Sequence, residues 1–188
     1  GYLLKAGVLK GGRDVEILRP AQNSPSSISA SFDKREIVIA KSFKELGEEI
    51  SWVVDQIARD INTEGLLPED ILVISADARN AKTYFTLPTA DLNARNIHVN
   101  NLQSDSFTLK DFSEVGKVTF STVYKAKGNE GFVVYILGID ALFGLKSIRN
   151  RNMAFTAMTR AKGWLRVTGM GASAEAFAAE IKAALDNS

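Results

Sequence analysis

The sequence predicts an α/β protein built on a mostly parallel sheet with helices on both faces. Short, continuously apolar runs alternate with amphipathic stretches at helical spacing, the pattern of βα units whose strands are buried on both sides. The chain has 188 residues, of which 45% are hydrophobic and 24% charged. This is a globular composition, far from that of a collagen, a coiled coil or a disordered chain. Turn residues stand between the runs, and no internal repeat or low-complexity tract interrupts the alternation.

Residues 1–35 form a peripheral N-terminal segment, broken by Gly7, Gly11 and Gly12, with a short strand expected over Val15 to Leu18 and a Ser-rich loop over Asn23 to Ser31. Opening on Gly1 rather than Met, the chain is expected to be a processed product or, preferably, a piece of a longer protein. The main domain is expected over 36–188. Glu36 to Ala40 reads as its first strand. Ser42-Phe-Lys-Glu45 fits a capping box, with the Ser hydroxyl and the Glu carboxylate satisfying free amides reciprocally. Behind it Phe43, Leu46, Ile50, Val53, Val54, Ile57 and Ile61 make one helical stripe, ended by Gly65 and Pro68. Ile71 to Ser75 is a buried-type strand, Asp77 to Phe85 a helix, and Ile97 to Leu102 a short strand. Lys117 to Thr122 and Phe132 to Gly138 are the next two strands. Ile148 to Lys162 reads as a helix with Met153, Ala157 and Ala161 inward and Gly163 as its stop. Trp164 to Thr168 is the last strand. A closing helix, capped by Ser173, turns Phe177, Ile181 and Leu185 inward.

Several chemistries are excluded by what is missing. There is no cysteine and a single histidine, His98, so thiolate metal sites, disulfides and triads built on other histidines are absent. His98 falls in a strand and is assigned no role. Trp52 and Trp164 read as partly buried core residues. No apolar run approaches the roughly 20 residues that span a bilayer, and no signal segment appears, so a soluble, cytoplasmic protein without a membrane or metal site is expected. No Gly-x-x-x-x-Gly-Lys-Ser/Thr loop is present, so the chain lacks the phosphate cradle of a complete nucleotide hydrolase.

Charge is uneven. Between Lys117 and Arg166 nine basic side chains face only Glu130 and Asp140, a net +7, which leaves −6 for the rest of a chain whose total is +1. Such a segment suits a polyanion, nucleic acid or nucleotide phosphate; a solvated basic face is the alternative. Two stretches within it stand out. In Phe120-Ser-Thr-Val-Tyr-Lys-Ala-Lys-Gly-Asn-Glu130 a strand ends near Thr122 and a polar loop follows. In open parallel sheets ligands bind beyond the carboxyl ends of strands, which puts Thr122 and Tyr124 at that edge, Lys125 and Lys127 as cations, and Glu130 as the lone acid, able to accept from a ribose hydroxyl or to pair with a lysine. In Arg149 to Lys162, Arg160 lies at a helix end. It either decorates the helix dipole or reaches across an interface to a phosphate, which planar bidentate donors suit.

These two segments, in this order, resemble motifs V and VI of superfamily I helicases of the UvrD/Rep type. The first match is Thr122-Val-Tyr-Lys-Ala-Lys-Gly-Asn-Glu130. The second is Met153-Ala-Phe-Thr-Ala-Met-Thr-Arg-Ala-Lys162, each followed by a strand. The resemblance covers roughly 36–188 and implies the second, C-terminal RecA-like (P-loop NTPase-type) core domain of a bacterial, ATP-dependent DNA helicase. It implies a ribose contact from Glu130, close approach of the loop at Gly128, and an arginine finger at Arg160. Thr122, Tyr124 and Lys125 would face single-stranded DNA, with RNA left open. The phosphate loop and most Mg2+ contacts would come from an N-terminal RecA-like domain of the same polypeptide, so this piece alone is expected to be inactive on ATP. Tyr124 stands where the family usually has His, Gly131 where an apolar or aromatic residue usually follows the Glu, and the motif IV arginine has no counterpart. The alternative is a non-catalytic, helicase-like binding module of a larger protein. Arg166, on the strand after Arg160, is expected to tolerate Ala.

Overall fold

The computed structural model describes residues 3–12, 15–18, 28–103, 111–143 and 147–187. They fall into two compact units divided between Asp33 and Lys34. In the first, strands β1 (Leu3–Ala6) and β2 (Glu16–Leu18) pair antiparallel, and Lys5 Nζ lies 2.6 Å from Glu16 Oε1 across the ladder. A helical turn, α1 (Ile28–Ser31), takes the last residues of the Ser-rich stretch; its residues 23–27 lie outside the described ones.

The second unit is a six-stranded parallel sheet with helices on both faces, the α/β architecture expected. In chain order it contains α2 (Lys34–Ile37), β3 (Val38–Phe43), α3 (Leu46–Asn62), a 3-10 turn at Pro68–Asp70, β4 (Ile71–Ser75), α4 (Ala81–Ala94), β5 (His98–Asn101) and β6 (Lys117–Thr122). There follow β7 (Gly131–Leu137), α5 (Asp140–Phe143), α6 (Ile148–Met158), β8 (Ala161–Met170) and α7 (Gly171–Asp186). The strand order is β3-β8-β7-β4-β6-β5, and every neighbouring pair is parallel.

Each central strand feeds both faces, which is why its sequence is a continuous apolar run. Ile71, Val73, Phe120, Val133 and Tyr135 pack against Val53, Val54 and Ile57 of α3 and Phe85 and Leu92 of α4. Leu72, Ile74, Val134, Ile136, Leu165 and Val167 pack the other way, against Ala154 and Ala157 of α6 and Ala174 and Phe177 of α7.

The elements stand where their periodicity puts them, but several ends differ from expectation. Glu36 and Ile37 close a helical turn rather than opening a strand; Arg166 Nη1 donates to both their carbonyls, at 2.9 and 3.0 Å. Ser42 caps nothing, because β3 runs on through Phe43 and pairs Ser42 with Gly169. Glu45 is the residue before α3, and it is Glu48 that reaches back, accepting from the Lys44 amide at 3.2 Å. Asp77 accepts from the amides of Arg79 and Asn80, so α4 starts later than expected, at Ala81, and continues through Pro88 to Ala94. α6 stops at Met158, not Lys162, since Ala161 already pairs with Gly131 in the sheet; Gly163 lies inside β8 and stops no helix. Ser173 is likewise no cap: Met170 precedes α7, and its amide donates to Asp140 Oδ1 at 2.8 Å.

Candidate functional site

The loop between β6 and β7 is folded by two apolar anchors. Val123 and Ala126 are buried in the core under α6, and the Ala126 amide donates to Thr122 O at 2.9 Å. This tight turn throws Tyr124, Lys125, Lys127 and Gly128 outward, all exposed. Gly128 has a φ of +89° with no atom within 4 Å of where a Cβ would stand, so backbone conformation, not crowding, selects glycine here. Thr122 is buried, and its Oγ1 accepts from the Lys125 amide at 3.5 Å. Lys125 Nζ donates to Leu102 O at 2.6 Å. The Tyr124 hydroxyl is held from two sides, receiving a bond from Arg149 Nη2 at 3.3 Å and lying 3.5 Å from Met153 Sδ. Thr122, Tyr124 and Lys125 thus gather at the carboxyl end of β6, beside the end of β4, as expected from the open-sheet rule.

Glu130 does not join them. Thr122 is level with Leu137, since both pair with Ser75, whereas Glu130 precedes the first residue of β7. The six residue steps of β7 separate the two levels by about 20 Å. Glu130 lies instead beside Arg160, at the amino ends of β7 and β8. The Gly131 amide donates to Arg160 O at 3.0 Å, and Glu130 Oε2 lies 3.8 Å from Lys162 Nζ. Arg160 folds back on α6: its Nε donates to Thr156 O at 3.0 Å and Nη2 to Thr159 Oγ1 at 3.1 Å. The candidate residues therefore form two clusters, one at each end of the sheet, joined by a single loop.

Gly131 explains its own departure from the helicase pattern. A Cβ there would stand 2.8 Å from Leu72 Cβ and 3.1 Å from Val133 O, inside a buried strand. Gly131→Ala is expected to destabilise the protein by about 1–3 kcal/mol, the cost of overpacking, as a loss of midpoint in urea unfolding.

Charge pairing separates the basic residues of the segment. Lys117 pairs with Glu114, Arg151 with Glu180 and Lys162 with Glu130. Among the described residues, Lys125, Lys127, Arg149 and Arg160 have no carboxylate within 4 Å. Lys146 lies outside the described residues. Arg166 is not the neutral control expected of it: it holds Glu36 O and Ile37 O and lies in the field of Asp60, so removing it breaks both of those bonds.

Two acids held inside the fold, Glu49 buried and Asp60 half-buried, were not expected from the sequence. Glu49, fully buried, accepts from Thr168 Oγ1 at 2.7 Å, the Gly138 amide at 3.0 Å and the Tyr84 hydroxyl at 3.4 Å. Burial pushes its carboxyl up; the Thr168 and Gly138 bonds oppose that and the nearby Asp140 adds to it. Asp60 accepts from the Tyr135 hydroxyl, and burial raises it too, against the pull of that bond and of Arg166. The signal for Glu49 was its place on the apolar stripe of α3, three residues from Leu46 and four from Val53, where a charge must find partners. No group of three or more His, Asp or Glu that could hold a metal occurs among the described residues. No helix there is long and apolar enough to cross a membrane.

Residues 117–168, from β6 through most of β8, match the family model of the UvrD-like helicase C-terminal domain. That stretch is just over a quarter of the chain and includes Thr122, Tyr124, Lys125, Gly128, Glu130 and Arg160. It is the family to which the two motif-like segments pointed. The chain is also similar to the C-terminal domain of a possible DNA helicase from Lactobacillus plantarum WCFS1, with 19% identity and a TM-score of 0.49 over 72% of this chain and 73% of that one. No curated protein matches the sequence.

Proposed function

We propose that this chain works as the C-terminal core domain of an ATP-dependent DNA helicase, supplying half of an ATP site and part of a single-strand track. The observation that carries the ATP half is the pairing of Gly131 with Arg160 and Ala161, which sets Glu130 and Arg160 side by side at one end of the sheet. The donor set there suits a nucleotide. Glu130 is an exposed carboxylate able to accept from ribose hydroxyls, Gly128 leaves open space above the backbone, and the Arg160 guanidinium suits phosphate oxygens. The chemistry supplied with ATP is transfer of its terminal phosphoryl group to water. In that step Arg160 would neutralise charge on the phosphate oxygens, while the phosphate cradle and Mg2+ ligands come from an N-terminal RecA-like domain of the same polypeptide. Thr122, Tyr124 and Lys125, at the opposite end, would meet single-stranded DNA. Their separation from the ATP half by the length of β7 lets one rigid strand report between them.

The half-site reading has a direct test. Calorimetry on this chain with ATP and Mg2+ is expected to give no micromolar binding, because most phosphate contacts are supplied elsewhere; a micromolar site would refute it. One observation favours a second reading, a non-catalytic binding module: Arg160 spends its Nε and Nη2 donors on its own helix. The two readings part on the ATPase activity of Arg160→Ala.

A further inference from the structure

Tyr124 is a large aromatic that the fold leaves 59% exposed yet holds in place. Its neighbours Val123 and Ala126 are buried, so the backbone under it is fixed, and its hydroxyl is bound by Arg149 and lies against Met153. A ring held this way loses little further freedom on binding. The cations around it are the ones without acids. Lys125 and Lys127 flank it on the loop and Arg149 touches it from α6, and none of the three has a carboxylate within 4 Å among the described residues. Arg149 and Arg151 also stand in the first turn of α6, which contains no acid; a helix amino end favours anions, so these cations sit against the local field. A fixed exposed ring, uncompensated cations and a positive helix end suit one class of partner. Single-stranded nucleic acid presents a base face to the ring and a phosphate to the guanidinium.

We propose that Tyr124 and Arg149 form a base-and-phosphate clamp, in which the Tyr124 ring stacks on an unpaired base while Arg149, assisted by Lys125, binds the adjacent phosphate. The clamp rests on the single-strand reading above and deepens it in two ways. It makes the contact partly one of base stacking rather than wholly of backbone, and it adds Arg149, which precedes the Met153–Lys162 motif match, to the binding residues. Recognition by a π-face is tolerant of base identity but requires that a base be present and unpaired.

The test is fluorescence anisotropy on this chain at low salt, with labelled oligo-dT and a fully abasic oligonucleotide of the same length. The parent should bind oligo-dT in a salt-dependent way and the abasic strand about tenfold more weakly or worse. Tyr124→Ala should bind oligo-dT as weakly as the parent binds the abasic strand, with no further loss when the bases are removed. Tyr124→Phe keeps the ring and should keep the discrimination. Arg149→Gln should keep the discrimination but lower the slope of log affinity against log salt by about 0.7, one phosphate's share for a single strand. Equal affinity of the parent for both strands, or undiminished discrimination in Tyr124→Ala, overturns the clamp while leaving backbone tracking in place. Absence of salt-dependent binding to either strand overturns the single-strand reading and the clamp together.

Discussion

On the proposed helicase reading, Arg160→Ala in the full-length protein is expected to lower DNA-stimulated ATP hydrolysis by a factor of about 10³–10⁵, the contribution of an arginine that neutralises charge in phosphoryl transfer. The side chain is not a core residue. What it does within this domain is close the carboxyl end of α6 through Thr156 O and Thr159 Oγ1, and losing a cation there costs about 0.3–1 kcal/mol. The packing of α6 rests on Ala154 and Ala157, which the substitution leaves alone. Folding and single-strand binding should therefore be nearly unchanged, as judged by the melting midpoint and by anisotropy. Arg160→Lys should recover little activity, since a compact ammonium does not reproduce the planar fork. Arg166 cannot serve as the control, because its guanidinium holds the carbonyls of Glu36 and Ile37. Arg95 can: it pairs with Asp55 at 2.7 Å, both groups well exposed, and Arg95→Ala should retain full activity. ATP hydrolysis at the parental rate in Arg160→Ala would leave Arg160 as a helix cap and favour the binding-module reading.

The order and type of the strands and long helices in the main unit were readable from the sequence because burial on two faces leaves a plain mark, whereas the short helices α2 and α5 left none. β4 and β7 are continuous apolar runs, and α3 shows an apolar stripe. The ends were less readable, since they are fixed by partners distant in sequence. Gly163 looks like a helix stop, but the pairing of Ala161 with Gly131 claims that backbone for the sheet first. Ser42 looks like a cap, but Gly169 claims it for β3. The same limit applies to the candidate site. Motif spacing collected Thr122 and Glu130 into one loop, and only the strand register reveals that they stand at opposite ends of β7. Gly131 looked like an anomaly, and its cause, the closeness of Leu72, lies some sixty residues away along the chain. Glu49 carried a local signal, an acid on an apolar stripe, but none of its three donors is near it in sequence.

Glu49→Ala is expected to be among the most destabilising single changes in the domain, by about 3 kcal/mol or more. The substitution opens a cavity at a fully buried position. It also strands the Gly138 amide, just beyond β7, and the Tyr84 hydroxyl of α4, and it leaves the Thr168 hydroxyl of β8 with only Ile136 O, at 3.2 Å, as its acceptor. At this chain length the loss should lower the melting midpoint by about 10 °C. Glu49→Gln separates shape from charge. Its carbonyl oxygen can take the place of Oε1, which receives both Gly138 and Thr168, and its amide can donate to the Tyr84 oxygen, so at mildly acidic pH the variant should match the parent closely. The pH dependence then distinguishes the two. Burial raises the Glu49 carboxyl above its ordinary value of 4.5, so over the window from that value upward the folded protein keeps a proton that the unfolded chain has lost. The unfolded state then binds fewer protons, and the contribution of this group to stability, complete below 4.5, declines as pH rises until Glu49 ionises in the fold. Asp60, raised in the same direction, is common to both proteins and cancels in the comparison. Urea unfolding of parent and Glu49→Gln across that range should show the variant gaining on the parent with rising pH. A constant difference would mean that Glu49 is ionised in the fold throughout, with its three donors outweighing burial.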